Sequence, residues 1–156
     1  MVALDDDISA ATAAATEHGA ASPAALVCIH WQPGSTIEAL RQKLKLSHSG
    51  TVRLLDRLEE DGAIVREPGK DGRSVALTLS AQGRRRVRAI LEARSAVLSE
   101  ALAPLSQAER RELGSLIEKV LGRITRDAEH ADQVCRLCDE AVCPMERCPV
   151  ECAVSR

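Results

Sequence analysis

The sequence predicts a mainly α-helical fold that carries one small β-hairpin. Apolar residues recur at helical spacing over most of the chain, and capping signals precede several of these stretches. Only residues 63–79 change to short β-prone runs, which flank a turn rich in Pro, Gly and Asp. The chain has 156 residues, enough for one domain with a hydrophobic core.

Two helices are predicted in the N-terminal part. Residues 4–18 are rich in alanine, and the aspartates near their start suit a helix N-terminus. Ser22 and Pro23 predict the cap and first residue of a short apolar helix that ends at Pro33. Cys28 lies in this second helix, where we expect it to pack as a small buried hydrophobe, away from the other cysteines.

Two further helices joined by a tight turn follow. Ser35 and Glu38 match a capping box and predict a helix that ends near Leu44. The next helix is predicted from about His48 to Asp61 and is rich in small polar and basic residues. This pattern is typical of a helix-turn-helix, and the hairpin directly after it would be its wing.

The C-terminal half begins with two long amphipathic helices, at residues 80–102 and from the Ser106–Glu109 capping box onward. They present more apolar surface than a small winged domain needs, which predicts packing against a second copy. The segment after His130 is too short to have its own core and needs a metal, a disulfide or a partner surface.

The predicted organisation has four parts. They are an N-terminal dimerisation helix at 1–21, a winged helix-turn-helix DNA-binding domain at 22–80, C-terminal dimerisation helices at 81–130 and a cysteine-rich metal or cluster tail at 131–156.

Composition and charge restrict the possible functions. Trp31 is the only aromatic residue, which argues against readers of RNA or single strands that stack bases on aromatic rings. Basic residues concentrate between Arg41 and Arg88 while both ends are acidic, as in a domain that binds duplex DNA, although a charge run can also be only a solvated face.

Neither a membrane nor an enzymatic role is indicated. No apolar run approaches a membrane span, and no Lys or Arg precedes Arg41, so we expect a cytoplasmic protein without a membrane partner. There is no glycine-rich phosphate loop and no serine elbow, and the histidines are scattered. We therefore expect no enzyme activity.

Five of the six cysteines lie in the tail with the spacing C-x2-C-x4-C-x4-C-x3-C. Such spacing brings several thiolates to one centre, and a zinc site would use Cys135, Cys138, Cys143 and Cys148. The Cys-Pro pairs at 143–144 and 148–149 are equally typical of iron–sulfur cluster runs. Cys152 would be a substitute ligand or a redox thiol, and thiol oxidation without a metal is a third reading.

The helix Thr-Val-Arg-Leu-Leu-Asp-Arg-Leu at 51–58, combined with the Asp-Gly-Arg wing at 71–73, resembles the multiple-antibiotic-resistance regulator (MarR) family. The resemblance extends over about residues 4–128. It implies a MarR-like homodimer that binds a pseudo-palindromic double-stranded DNA operator and usually represses transcription. The aromatic-lined ligand pocket typical of the family is not evident, so an aromatic small-molecule ligand is not favoured.

By this resemblance the second helix of the helix-turn-helix enters the major groove. Arg53 is the first candidate for DNA contact because its guanidinium can span two acceptors on a guanine or clamp a phosphate. Ser47 could equally be the helix cap, and Arg57 could instead pair with Asp56 or Glu60. The candidate DNA-binding residues are Ser47, His48, Ser49, Thr51, Arg53, Arg57, Lys70 and Arg73.

The remaining basic residues have more general predicted roles. Arg73, in the wing, would reach the minor groove, where narrow A·T-rich segments concentrate negative potential. Lys43, Lys45 and Lys70 are expected to contact phosphates without sequence preference.

These observations predict a homodimeric, sequence-specific DNA-binding transcriptional regulator, with a cysteine cluster that binds zinc or an iron–sulfur cluster and senses redox or metal status. A change in the tail would alter how the subunits are held and so the spacing of their recognition helices. The alternative is a protein-interaction module that does not bind DNA and uses a structural zinc staple.

Overall fold

The structure is a computed structural model of the chain, and it describes residues 2–16, 21–69 and 74–155. These residues are mostly helical and include one small antiparallel sheet, which confirms the predicted fold class. The helices are α1 (Val2–Ala14), α2 (Ala21–Trp31), α3 (Ile37–Leu44), α4 (His48–Glu60), α5 (Ala81–Ala101), α6 (Gln107–Ile124), α7 (Ala128–Cys135) and α8 (Pro149–Val154). The strands are β1 (Ser35–Thr36), β2 (Ile64–Pro68) and β3 (Val75–Leu79), and Met145–Arg147 form a short 3-10 helix.

The sheet has the strand order β1-β3-β2, with antiparallel pairing throughout. Strands β2 and β3 form the predicted hairpin. Strand β1 was not predicted, and it pairs Ser35 with Leu77. Because Ser35 lies in a strand, α3 is capped by Thr36, whose hydroxyl oxygen accepts from the Ala39 N–H at 3.2 Å. The predicted Ser35–Glu38 capping box is therefore wrong, and Glu38 binds Arg41 instead.

Two other predicted helix starts have opposite outcomes. Helix α2 already begins at Ala21, so that Ser22 is a buried helical residue and not the predicted cap. The capping box at the start of α6 is present, with the Ser106 hydroxyl and the Glu109 carboxylate each accepting from the other residue's N–H. Local capping patterns thus hold where no distant strand or helix competes for the residue.

The main core lies where α2, α3, α4, α5 and the sheet meet, and we call this part the winged lobe. Its largest fully buried side chains are aliphatic: Leu26, Ile29, Leu40, Leu55, Leu58, Leu77 and Ile90. Trp31 packs at the edge of this core and is only partly buried. In the described parts of the chain, no helix is long and apolar enough to cross a membrane.

Helix α6 contrasts with the helices of the winged lobe. None of its residues is buried, and four apolar side chains remain between 47 and 57% exposed: Leu116, Ile117, Val120 and Ile124. In the described residues its main packing partner is α8. An exposed apolar face of this kind is what the sequence predicts for a surface that pairs with a second copy.

The cysteine-rich segment is folded onto the rest of the chain. Helix α7 packs on α3 of the winged lobe, whereas α8 packs on α6. A second, small apolar cluster joins the two ends of the segment, built on Ala131, Cys148 and Val150 with Leu121 of α6 packed against it. The segment therefore lies between the winged lobe and α6.

Two glycine-to-alanine substitutions should have opposite effects on stability. A Cβ on Gly83, buried in the first turn of α5, would overlap the carbonyl oxygen of Ala63, so Gly83→Ala should lower the free energy of unfolding by about 1–3 kcal/mol. Gly114 in α6 has open space around its Cα, and Gly114→Ala should raise the free energy of unfolding by up to about 1 kcal/mol. Urea denaturation measures both, and an undiminished stability of Gly83→Ala would contradict the packing of α5 against Ala63.

Candidate nucleic-acid interface and cysteine cluster

The N-terminal turn of α4 presents small polar groups to solvent. Ser47 is the N-cap of the helix, and its hydroxyl oxygen accepts from the Gly50 N–H at 3.1 Å. The hydroxyls of Ser47 and Ser49 lie 3.4 Å apart, and both residues and His48 are exposed. Helix N-termini attract phosphate oxygens, so this turn is suited to meet a nucleic-acid backbone.

Thr51 lies on the opposite side of α4 from these groups. Its side chain is fully buried, and its hydroxyl donates to the Ser47 carbonyl at 3.0 Å. The residue shares the core-facing side of the helix with Leu54, Leu55 and Leu58, which are also buried. The structure thus corrects the predicted DNA contact: Thr51 holds the start of α4 and does not present a group to DNA.

Arg53 and Arg57 project from the exposed side of α4. Within residues 2–16, 21–69 and 74–155, neither guanidinium forms an ion pair. Asp56, one predicted partner of Arg57, is bound instead by Arg66 at 2.7 Å, and Arg66 also reaches Glu59 at 2.9 Å. Arg66 joins β2 to α4, a structural role that the sequence did not reveal, and it leaves both arginines of α4 available to a phosphate or base.

The predicted lysine contacts have different positions. Lys45 is exposed in the turn of the helix-turn-helix, where it ends α3 in a left-handed conformation with a φ of 54°. The Lys43 side chain is only 12% exposed, and its ammonium binds the Asp132 carboxylate of α7 at 2.8 Å, so its predicted phosphate contact is replaced by a contact to the cysteine-rich segment. Lys70 and Arg73 lie outside the described residues.

The four cysteines of the predicted metal site lie next to one another. Cys135 lies close enough to Cys138, and Cys143 close enough to Cys148, for the thiols of each pair to interact. The two pairs are also close enough to interact electrostatically. Cys152 stands apart, since it is exposed and its thiol donates to the Glu146 carbonyl at 3.7 Å. All six cysteines are free thiols.

The four sulfurs do not yet surround one point. In the parts of the chain that the structure describes, no group of three or more Cys, His, Asp or Glu side chains is arranged to hold a metal ion. The thiols are instead grouped in two pairs, Cys135 with Cys138 and Cys143 with Cys148. Four thiolates are nonetheless a donor set suited to zinc or to an iron–sulfur cluster.

The interaction between the Cys135 and Cys138 thiols shifts their pKa values in opposite directions. The Cys135 thiol donates to the Cys138 sulfur, which lowers the pKa of Cys138 to about 6, and the Arg94 guanidinium contributes to this effect. The same hydrogen bond raises the pKa of Cys135, and burial raises the pKa of Cys143. A bound cation would displace the protons that remain, because metal ligation requires thiolates.

Helix α2 of the winged lobe also contacts the cysteine-rich segment. The Trp31 indole N–H donates to the Cys138 carbonyl at 3.2 Å, and the Cys28 thiol donates to the Arg136 carbonyl at 3.6 Å. Burial raises the pKa of Cys28 to about 11. The prediction that Cys28 lies away from the other cysteines is wrong, because the tail folds back over α2 and a cleft of about 140 Å³ has both Cys28 and Cys135 in its lining.

The sequence model of the MarR family matches residues 21–75, from the start of α2 to the first residue of β3. No curated protein matches the chain.

Solved structures with the same fold cover most of the chain. A probable transcriptional regulator from Pseudomonas aeruginosa is 26% identical over 76% of this chain and 91% of its own, with a TM-score of 0.59. A MarR family protein from Mycobacterium tuberculosis, solved with p-aminosalicylic acid, is 24% identical over 76% of this chain and 90% of its own, with a TM-score of 0.61. Streptococcus pneumoniae FabT, solved in complex with DNA, is 20% identical over 67% of this chain and 73% of its own, with a TM-score of 0.59. The chain therefore has the winged helix-turn-helix fold of MarR-family proteins.

Proposed function

We propose that the chain is a MarR-type, DNA-binding transcriptional regulator, with repression as its mode of action. The observation that carries this proposal is the exposed face of α4, where polar side chains at the helix N-terminus stand beside two arginines without ion-pair partners in the described residues. A rigid scaffold supports that face, because Leu54, Leu55 and Leu58 anchor the other side of α4 in the core. The complex of the similarly folded FabT with DNA supports the same use of the fold.

The charge and geometry of α4 suit contact with a duplex. Ser47, His48 and Ser49 stand at the positive end of the helix dipole, where phosphate oxygens are favoured. Arg53 lies further along the exposed side and can reach a base edge or a phosphate. Ser47, His48 and Ser49 would fix the position of the protein on the duplex, and Arg53 would supply its sequence preference.

We propose that the active form is a homodimer on a pseudo-palindromic operator. The apolar face of α6, formed by Leu116, Ile117, Val120 and Ile124, needs cover that the described residues of one protomer do not provide. A second copy placed on a twofold axis would cover it and present two copies of α4. Their spacing must match about one turn of DNA.

We further propose that Cys135, Cys138, Cys143 and Cys148 bind zinc or an iron–sulfur cluster and report redox or metal status. The proposal is supported by the proximity of these four thiols and by the separate position of Cys152. Zinc and iron–sulfur clusters both accept thiolate ligands, so the metal found in the purified protein decides between them. If the protein binds no metal, the remaining role for these cysteines is reversible oxidation of one thiol pair.

Operator binding tests the first proposal. We expect the protein to select duplexes from a fragment library and to bind them with an affinity that falls steeply as KCl rises. Arg53→Ala should weaken binding to the selected duplex by about 1–3 kcal/mol, because it removes a two-point contact. Fluorescence anisotropy over a KCl series measures both effects.

A matched control is Arg111→Ala, which removes the same charge from an exposed position on α6. It should leave affinity within about twofold of wild type, since exposed charges beyond a Debye length are screened. Absent or salt-insensitive binding would contradict the proposal and favour a protein-interaction module. Equal losses in the two variants would contradict the role of Arg53.

Metal content tests the proposed centre. We expect anaerobically purified protein to contain either stoichiometric zinc and no colour, or iron and sulfide with broad visible absorbance. Cys138→Ser should lose the metal because it removes one of four ligands, whereas Cys152→Ser should retain it. Elemental analysis and absorbance spectra provide the measurement. Metal-free wild-type protein, or equal loss in the two variants, would contradict the assigned ligands.

A further inference from the structure

Arg66 carries a double ion pair between the sheet and α4. Its Nη2 atom lies 2.7 Å from Asp56 Oδ1, and its Nη1 atom lies 2.9 Å from Glu59 Oε2. Arg66 is fixed in the sheet, where it is paired with Leu77 of β3. It lies on the same face of β2 as Ile64, which is buried in the core. One arginine of the sheet therefore holds two carboxylates of α4.

The two carboxylates belong to one side of α4. Asp56 and Glu59 are neighbours on the helix surface, because residues at i and i+3 face each other, and like charges at this spacing repel. Both side chains remain partly exposed, at 44 and 40%. Arg53 is exposed and precedes Asp56 by one helical turn. Without Arg66, Asp56 would therefore be at the correct spacing to pair with Arg53.

These carboxylates affect the approach of a duplex. A helix in the major groove has a phosphate strand on each side, and a carboxylate released on the side of α4 would repel that strand. A carboxylate that captured Arg53 would also withdraw its guanidinium from the bases. The Arg66 guanidinium opposes both effects, because it engages the two carboxylates and offsets part of their charge.

We propose that Arg66 is a positioning residue for DNA binding, which engages Asp56 and Glu59 so that Arg53 stays free to contact the duplex. The role is exerted through charge and not only through a mechanical tie between β2 and α4. It rests on the proposed function, because it assumes that α4 binds a duplex, but it does not involve the cysteine cluster. If the two carboxylates are the reason why Arg66 is needed, their removal should also remove that need.

The first variant is Arg66→Gln, measured by fluorescence anisotropy on the duplex that the wild-type protein selects. We expect its affinity at low KCl to be about 10- to 100-fold lower than that of wild type, because the released carboxylates place like charges at the interface. The ratio between the two affinities should become smaller as KCl rises, since the repulsion is then screened.

The second variant combines Arg66→Gln with Asp56→Asn and Glu59→Gln. The amides keep the shape of the carboxylates without their charge, so this triple variant should bind within about fivefold of wild type. The double variant Asp56→Asn with Glu59→Gln, which retains Arg66, should bind at least as tightly as wild type. If Arg66 were only a mechanical tie, both combinations would bind more weakly than wild type, because each lacks the two ion pairs.

A double-mutant cycle tests whether Arg66 acts through Arg53. In the wild-type background Arg53→Ala removes a free guanidinium and should weaken binding. In the Arg66→Gln background the same substitution should cost less affinity, because Arg53 is already engaged by Asp56. Equal costs in the two backgrounds would contradict the coupling.

Arg86→Gln is the matched control, since it removes the arginine of another ion pair of α4. Arg86 of α5 lies 3.3 Å from Asp61, the C-cap of α4. Asp61 is about 12 Å along the helix from Arg53, which exceeds the Debye length of about 8 Å at 0.15 M ionic strength. This variant should therefore bind within about twofold of wild type. Thermal unfolding followed by circular dichroism verifies that each variant is folded at the assay temperature.

The outcomes separate this role from the proposed function. If wild type binds the duplex and Arg66→Gln binds it equally well, or if the triple variant is as weak as Arg66→Gln, the role of Arg66 is refuted while the proposed function stands. An equal loss in Arg86→Gln refutes it as well. If Arg66→Gln does not fold, the double variant decides, and binding weaker than wild type refutes the role. If wild type binds no duplex, the proposed function fails and this role fails with it.

Discussion

The docking of α7 on α3 decides where the cysteine-rich segment lies. At its centre the largely buried Lys43 side chain pairs with the half-exposed Asp132 carboxylate at 2.8 Å. The pair holds the last turn of α3 to α7. Leu137 and the Trp31–Cys138 hydrogen bond extend the contact onto the core and α2. A segment too short to form its own core thereby becomes ordered by using the core of the winged lobe.

The same docking gives α6 its place in the protomer. Helix α6 carries no buried residue, and its clearest support in the described residues comes from α8. Leu121 of α6 joins the small cluster around Ala131, Cys148 and Val150, so the second pair of cysteines is part of that support. One side of α6 is thus attached through the cysteine-rich segment, and its apolar side stays exposed in the protomer.

Local sequence signals located helices α1 to α6 and the β2–β3 hairpin, but they missed β1 and failed where a distant partner decides. The Ser106 capping box and the β2–β3 hairpin depend on nearby residues, and both were predicted correctly. Ser35 was assigned to a cap because its pairing with Leu77 is not visible in a local pattern. Thr51 is polar, but the helical position that places it beside Leu54 and Leu55 buries it. A polar side chain whose hydroxyl is satisfied within its own helix can be buried at little cost, and residue type alone does not reveal this.

Sequence patterns were also insufficient for the cysteine cluster, where the contacts join residues much further apart in the chain. Spacing identified the thiols, but their surroundings depend on contacts across 108 residues for Cys28 and 89 residues for Lys43. No periodicity in the sequence links Lys43 to Asp132, because each residue is an ordinary exposed charge when its own helix is considered alone. Only the folded chain shows that this lysine serves the tail and not a phosphate.

Residues 43–47 bring the two proposed activities together. Lys43 anchors the cysteine-rich segment, Lys45 ends α3 in a left-handed conformation, and Ser47 caps α4. The turn is short and its ends are fixed by backbone and side-chain hydrogen bonds, so it has little freedom to absorb a displacement of α3. Lys43 therefore lies close in the chain to the N-terminus of α4, the part of the fold that presents Ser47, His48 and Ser49 to solvent. The ion pair that seats the cysteine-rich segment thus lies beside the turn of the helix-turn-helix.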